Sequence, residues 1–573
     1  MKILGVNFTS DASAVVLIDG RLVAAVAEER LNRIKRWYGI PYDAIRTVLQ
    51  LAGLTLDDID IVATHGASDG RPDEKAFRAK HAAIERADLP ADVRDLLVGQ
   101  LRVRLDHERM VLGRRTPGYV AALRALGRPV KVVGHHTAHA AGAYYGSGWD
   151  ECVVLTADGW GDEASATLWR GLRGRLTRLS RTPTIDSLGY FYGSITKALG
   201  FTPHRHEGKV LGLAAYCHEP KSYPLVRAMI DYEPRTKTFL THPERGLYLP
   251  FFDNPLLGDF ARGYSREDVA AAAQRSLEEV VSACVADLGG RDLRLAVACG
   301  IFANVKLNQR LRELPNVAEV YVFPNMGDGG LSVGAAWLAH VAKTKSRPEP
   351  LGTLDLGLAA TDGEIATAVS HAGLRYTHAA DIHERVAELL ARGGVVACFQ
   401  GRMEFGPRAL GHRSILYRAT DPSANDWLNK RLRRSEFMPF APATLAEDAA
   451  ACYVGLDGGR DAARYMTMTF DCTPRMRAES PAAVHVDGTA RPQIVSARDN
   501  PDFHAILTAY RRRTGIGTVV NTSFNMHEEP IVCTIDDALR AVHEAGLPYL
   551  AAGRFLIETG GERAPETGAR SAR

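Results

Sequence analysis

His135 and His139, four residues apart in His135-His136-Thr137-Ala138-His139, are the residues of this chain best placed by type and spacing to do chemistry. A helix turns once every 3.6 residues, so both imidazoles fall on one face, one ring above the other. Taken alone, such a pair is more often a satisfied buried or surface pair than a ligand set. Its company points further. The β-branched run Val153-Val154-Leu155-Thr156-Ala157 ends on Asp158-Gly159, and far downstream Tyr321-Val322-Phe323 leads into Gly327-Asp328-Gly329-Gly330. Two imidazoles and two carboxylates suit a borderline divalent ion such as iron, zinc or manganese, with positions left open for a ligand.

The elements that must position these groups follow from the pattern around them. Ile3 to Phe8, Ala14 to Ile18, an Asp19-Gly20 turn and Leu22 to Ala27 read as strand, strand, tight turn, strand. The same plan returns at Cys152 to Ala157, a turn at Asp158-Gly159-Trp160-Gly161-Asp162, and Ala164 to Trp169. The chain therefore reads as a duplicated α/β fold. Between the copies, Pro72 to Arg115 has helical spacing and dense charge, which predicts a solvated helical insertion. A helix over Asp268 to Leu288, a strand at Leu295 to Ala298, a helix opened by Gly300 and an apolar helix over Gly327 to Val341 complete the first part.

In a duplicated fold of this kind the small-residue turns face one another. Asp11-Ala12-Ser13 and Asp158-Gly159-x-Gly161 then offer backbone N–H groups to phosphate oxygens and carboxylates to a metal or its water. With the strand-to-helix junction at Gly300 to Asn304, they predict a nucleotide cleft built from Asp11, Ser13, Gly159, Gly161, Gly300 and Asn304. Gly208, Lys209 and Gly212, at a predicted helix start preceded by His204 and His206, join the same candidate set.

A third constellation lies downstream, in Gly401-Arg402-Met403-Glu404-Phe405-Gly406-Pro407-Arg408-Ala409-Leu410-Gly411-His412-Arg413-Ser414. A guanidinium fork binds phosphate-type oxygens bidentately, and a Gly/Pro-stiffened loop lets the backbone come close. Lys430, Arg431, Arg433 and Arg434 follow, and then Arg491-Pro492-Gln493. The rival reading, a solvated basic face, fits poorly with their embedding among Gly, Pro and apolar residues.

At 573 residues the chain exceeds what one core fills, about 250 to 300 residues, so two large domains are expected. The polar, proline-bearing Lys343 to Pro350 marks the boundary: one domain over 1–345, a second over 355–561, and a disordered tail over 562–573. With 46% hydrophobic and 24% charged residues and a net charge of +3, composition asks for neither nucleic acid nor membrane as partner. Eight cysteines without a C-x-x-C pair read as reduced core thiols, and the start lacks a secretory leader, so the cytoplasm is the expected compartment.

Taken in order, Asp11-Ala12-Ser13, His135-x-x-x-His139, Asp158-Gly159-x-Gly161, Gly208-Lys209-x-x-Gly212-Leu213, Gly406-Pro407-Arg408-Ala409-Leu410-Gly411-x-Arg413-Ser414, Pro439-Phe440-Ala441-Pro442, Arg491-Pro492-Gln493 and Asn521-Thr522-Ser523-Phe524-Asn525 run over nearly the whole chain. The combination resembles the O-carbamoyltransferases of antibiotic and nodulation-factor tailoring. The resemblance implies an N-terminal domain of the actin/sugar-kinase class, like the threonylcarbamoyladenosine-forming transferase, and an α/β C-terminal domain like its YrdC-type partner. It implies that ATP, with magnesium, and carbamoyl phosphate give carbamoyl adenylate in the C-terminal domain. The carbamoyl group then passes to a hydroxyl of a small-molecule acceptor in the N-terminal domain.

By motif, the resemblance makes His135, His139, Asp158 and Asp328 the metal ligands, and Arg408, Arg413, Arg433, Arg491 and Asn521 the carbamoyl-phosphate and adenylate binders. Relatives also make a homodimer an expected assembly. Two positions depart from the pattern. Ser10 stands where many members carry a histidine that serves as base, which leaves His204, His206 or a hydroxide on the metal for that role. Met438 stands where arginine often precedes Pro-Phe-Ala-Pro. The competing readings are a small-molecule kinase of the same fold, which would dispense with the arginine-rich half, and a nucleotide-binding regulator without turnover.

Overall fold

The computed structural model describes residues 1–67, 71–245, 255–434 and 437–561. The expected disordered tail, 562–573, lies outside the described residues.

The first sheet is built from β1 (Lys2–Asn7), β2 (Ser13–Ile18), β3 (Arg21–Ala27), β4 (Ile61–His65) and β5 (Val130–Val133), in the order β3-β2-β1-β4-β5. β1 runs antiparallel to β2, with Leu4 opposite Val16, and parallel to β4. Asp19 and Gly20 close the turn between β2 and β3 with φ of 48° and 89°. Two successive positive φ values match the right-handed twist of the flanking strands, which is why Asp-Gly serves there.

The second sheet takes β6 (Glu151–Gly161), β7 (Ala164–Leu172), β8 (Arg175–Pro183), β11 (Leu293–Ala298) and β12 (Val317–Val322), the small ribbon β9 (Ile230–Glu233) and β10 (Thr238–Thr241) lying apart. Its order, β8-β7-β6-β11-β12, repeats that of the first sheet. The central β6 is again antiparallel to the strand that follows it and parallel to β11. One topology is thus used twice, the duplicated actin/sugar-kinase-like plan.

In each copy the last parallel strand feeds a helix: β5 leads to His135–Ser147, and β12 leads through a short turn at Asp328–Gly330 to Leu331–Thr344. These two helices pack closely because small residues allow it. A β-carbon at Gly334 would stand 1.9 Å from the carbonyl oxygen of Ala138. Ligands of open α/β sheets gather at the carboxyl ends of strands, and here both helix starts and the end of β6 open there.

Two sequence expectations need correction. The hairpin turn between β6 and β7 falls at Asp162-Glu163 and does not span the expected Asp158 to Asp162. Ala157 pairs with Ala166 and Gly161 with Ala164, so residues 158 to 160 form a bulge inside β6. Bulges re-aim side chains, and this one turns Asp158 off the ladder.

The helical insertion is also not merely solvated. Its helices Glu74–Arg86 and Ala91–Met110 enclose a small core of Phe77, Ile84, Leu97 and Leu101 with Ile185. Arg104 and Glu108 are buried within it, paired through Nε and Oε1 at 2.7 Å, and Thr184 donates to the other carboxylate oxygen at 2.9 Å. The Arg104 guanidinium lies 4.0 Å from the Tyr190 ring centroid and 5.2 Å from that of Trp160, a residue of the bulge. Arg104→Ala is expected to cost about 3–5 kcal/mol in urea unfolding, because it strands the Glu108 charge in the interior. The double variant with Glu108→Gln should recover part of that loss.

The second compact unit is discontinuous. It comprises Ala24–Trp37 and Tyr42–Gly53 together with the chain from Gly352 onward. Edge to edge, its eight-stranded sheet runs Arg375–His378, Phe555–Glu558, Tyr549–Ala552, Val396–Phe399, Arg413–Arg418, Thr518–Ser523, Ala441–Leu445 and Gln493–Val495. Helices Ile382–Ala391 and Pro501–Thr514 supply Val386, Leu390, Phe503, Leu507 and Tyr510 to a core shared with Val396, Leu416, Leu445 and Val519 of the sheet. Among the described residues, no helix is long and apolar enough to cross a membrane.

Candidate functional site

In the first unit, the imidazole nitrogens of His135 and His139 and carboxylate oxygens of Asp158 and Asp328 all lie within 4.8 Å of one another. His135 Nε2 is 3.8 Å from Asp158 Oδ2 and 3.7 Å from Asp328 Oδ1, and His139 Nε2 is 3.6 Å from Asp328 Oδ1. Both rings are buried, and His135 Nε2 and both nitrogens of His139 have no hydrogen-bond partner among the described residues. Buried polar atoms without partners are costly, and nitrogens converging on carboxylates at these distances form a set of N and O donors suited to a borderline divalent cation. The neighbouring His136 is different: its ring spans Thr156 Oγ1 at 2.9 Å and the Ala164 carbonyl at 3.1 Å, and so belongs to the scaffold.

The sequence builds this cluster with glycine and a borrowed cap. The Asp162 carboxylate accepts the His135 backbone N–H at 2.6 Å and so caps the helix that carries both imidazoles. At Gly161 a β-carbon would stand 2.0 Å from His135 Cδ2, and at Gly300 one would stand 2.9 Å from Asp158 Oδ1. Gly161→Ala must therefore push the His135 ring aside. Metal affinity, read by competition with a chelator, should fall at least tenfold, the range seen when a ligand's support is lost.

Burial and charge pull against each other in this cluster. Burial works against a protonated His135, but the Asp158, Asp328 and Asp162 carboxylates outweigh it and carry the ring up to about 9. Burial lowers His139 despite Asp328, and Asp328 itself is held below the usual carboxylate range because the His139 and His135 imidazoles outweigh its own burial. His65, which sequence reasoning passed over, packs edge-on to His135 with ring centroids 5.6 Å apart. Burial and the His135 charge push it down to about 3. Its Nε2 meets Asn7 Oδ1 at 2.9 Å, and Thr9 Oγ1 lies 2.9 Å from Asp328 Oδ2, so the end of β1 buttresses the cluster.

The predicted nucleotide-binding residues divide into two groups. Gly161 lies against His135 and Gly300 against Asp158, Gly159 donates its N–H to Asp158 Oδ1 at 2.7 Å, and Asp11 turns the chain between β1 and β2 at φ 56°. Ser13 and Asn304 instead spend their polar atoms on the scaffold. Ser13 Oγ lies 2.8 Å from both the Gly329 carbonyl and Ser332 Oγ, and Asn304 caps the helix Val305–Arg312 while exchanging two hydrogen bonds with Gln274. The helix expected at Gly300 begins only at Val305, after a short 3-10 turn. Gly208, Lys209 and Gly212 lie on the helix Glu207–Ala214, with Lys209 buried. His204 is exposed, and His206 Nδ1 accepts the Thr202 N–H at 3.1 Å.

In the second unit, three separated motifs come together. Asn521 Nδ2 donates to the Ala409 carbonyl at 3.2 Å and to Gln493 Oε1 at 2.8 Å, while Gln493 Nε2 donates to the Leu410 carbonyl at 2.8 Å. Asn521 Oδ1 is buried and has no hydrogen-bond partner among the described residues. Glu404, which the sequence did not single out, organises the arginine loop: its Oε1 accepts the N–H groups of Leu410, His412 and Arg413 at 2.7, 2.8 and 3.2 Å. An acidic residue at the mouth of a basic loop is the signal that could have revealed it.

Arg408 and Arg491 are half-buried on this framework. Arg413 is not placed as a ligand group. It is fully buried, stacks 3.7 Å over Phe399 and donates to the carbonyls of Gln400, Gly401, His412 and Leu358. Burial holds it down to about 10 against the pull of Glu404. Arg433 is exposed at φ 55°, whereas its neighbour Arg434 reaches Thr522, Ser523 and Asn525 and pins the Asn521 to Asn525 motif.

The family description for the carbamoyltransferase N-terminus matches residues 2–337, and that for the carbamoyltransferase C-terminus matches residues 387–559. Nodulation protein NolNO of Sinorhizobium fredii is 32% identical over 569 residues, covering 96% of this chain and 79% of that protein. A protein of Synechocystis described as uncharacterized is 31% identical over 617 residues, covering 97% and 96%, and nodulation protein U of Rhizobium tropici is 28% identical over 561 residues, covering 92% and 91%. Matched in order by both parts of the family, each over one of the two constellations built above, the chain belongs to the carbamoyltransferases and is an enzyme of that kind.

Proposed function

We propose that this carbamoyltransferase is ATP-dependent and works in two stages, ending on a hydroxyl of a small-molecule acceptor. In the first, carbamoyl phosphate, ATP and water give carbamoyl adenylate, pyrophosphate and phosphate within residues 355–561. In the second, the carbamoyl group passes from the adenylate to the acceptor oxygen within residues 1–345, releasing AMP.

The observation that carries the reading is the cluster of His135, His139, Asp158 and Asp328, with imidazole nitrogens left unpaired in a carbamoyltransferase. Those four side chains would hold the divalent ion, which when bound supplies Lewis-acid polarisation of the carbamoyl carbonyl. The chain's own residues do the rest. Gly300 leaves the space beside Asp158 free of a side chain, Gly161 does the same beside His135, and Thr9, just after β1, keeps Asp328 in place.

In the second unit, Arg408 and Arg491 supply guanidinium forks for phosphate oxygens. The unpaired, buried Asn521 Oδ1 is an acceptor suited to the carbamoyl N–H. Phosphate alone has no use for such a group; a carbamoyl amine has.

The test incubates the full chain with ATP, magnesium, carbamoyl phosphate and iron, zinc or manganese against a panel of hydroxyl compounds. AMP, pyrophosphate and an acceptor heavier by one carbamoyl group are expected. ADP as the sole nucleotide product would overturn the proposal.

A further inference from the structure

The loop that carries Arg408 is held from a distant part of the chain. Arg30 and Arg33, at the helix Glu28–Asn32 and its left-handed C-cap, belong to the second compact unit although they precede most of the first. Arg30 is buried and its Nη2 donates to the Gly406 carbonyl at 2.7 Å. Its Nη1 is buried without a hydrogen-bond partner among the described residues, and Glu29 Oε1 lies 3.6 Å from its Nε. Arg33 donates from Nη1 to the Ile531 carbonyl at 2.9 Å and from Nη2 to the Pro530 carbonyl at 2.8 Å. Val532 in turn bonds the Phe524 carbonyl, and the Phe524 N–H bonds the Arg413 carbonyl. Two arginines three residues apart thus grip both motif loops, Gly406 to Arg413 directly and Asn521 to Asn525 through 530 to 532.

The chemistry of the loop explains the need. Pro407 has no N–H to offer an anion. Gly406, at φ 140°, adopts a conformation comfortable only for glycine, and its carbonyl is a negative dipole beside Arg408. A guanidinium on that oxygen fixes the peptide that leads into Pro407-Arg408 and offsets the carbonyl's negative dipole. Glu404 holds the other end of the same loop by its N–H groups. The loop is stretched between a cation and an anion.

We propose that Arg30 and Arg33 are positioning residues for binding of carbamoyl phosphate in the second unit, acting through the Gly406 and 530–531 carbonyls. This rests on the two-stage reading above. In full-length enzyme, Arg30→Lys and Arg30→Gln should raise the KM for carbamoyl phosphate at least tenfold in AMP formation. Metal content and the KM for ATP should change less than twofold, and Arg33→Gln should act in the same direction. Arg46→Ala, which removes only an exposed partner of Asp43, serves as the unaffected control.

A role in folding alone would lower the melting temperature and the yield of active enzyme while leaving KM where it was. That result, in variants that fold, overturns the proposal. Wild-type hydrogen exchange provides a measurement that needs no variant. Carbamoyl phosphate should protect residues 28–34 together with 404–413, and protection of the loop alone would also overturn it. Absence of carbamoyl-phosphate-dependent AMP from wild type would sink the two-stage reading instead.

Discussion

If the two-stage reading holds, alanine at position 139 is expected to abolish metal binding and stop carbamoyl transfer while AMP and pyrophosphate still form. His139 Nε2 lies 3.6 Å from Asp328 Oδ1 within the cluster, and neither of its ring nitrogens has a hydrogen-bond partner among the described residues, so its removal subtracts a donor without breaking a hydrogen bond of the scaffold. Metal by mass spectrometry should fall from about one equivalent per chain to under a tenth, and acceptor carbamoylation at least 10²-fold. AMP formation at an unchanged rate locates the defect in the first unit. Retention of both metal and transfer would show that the four-residue cluster does something else.

The second large effect lies in the other half. Arg408→Ala should depress AMP formation by about 10²–10³, the cost of losing a fixed donor to developing phosphate charge. Metal content should stay at the wild-type level. Arg408→Lys is expected to recover little, since an ammonium cannot reproduce the planar bidentate fork. Transfer from chemically supplied carbamoyl adenylate, measured in the same variant, should survive. Failure of both half-reactions would point to collapse of the loop rather than loss of one guanidinium.

How much of this was legible in the sequence depends on whether a residue's neighbours are local. The strands around Asp19-Gly20 and the repetition at β6 and β7 followed from β-rich runs and turn residues, and the four-residue spacing of His135 and His139 put both on one helix face. The four cluster residues could be named from the four-residue spacing of His135 and His139 and from the two Asp-Gly steps that follow apolar runs. The bulge at Asp158 could not, since its cause lies across the ladder in the pairing of Gly161 with Ala164. Arg413 shows the converse limit. A motif arginine among glycines looks like a phosphate ligand, yet Phe399 and four carbonyls claim it. His65, Glu404 and Arg30 were passed over because their partners are respectively 58, about six, and 376 positions away, and in two of the three cases the contact exists only after the sheet is assembled.

The scattered make-up of the second unit has a consequence for synthesis on the ribosome. Residues 24–37 leave the exit tunnel near the beginning of translation, but the carbonyls that Arg30 and Arg33 hold are made only after position 405. At ordinary elongation speeds of about 5–20 residues per second, that strip of chain waits for tens of seconds before its partners exist. A gene cut near codon 352 would leave the downstream product without its two clamps. Nascent-chain crosslinking should therefore find chaperones on residues 28–37, just beyond β3, long after the first sheet has closed.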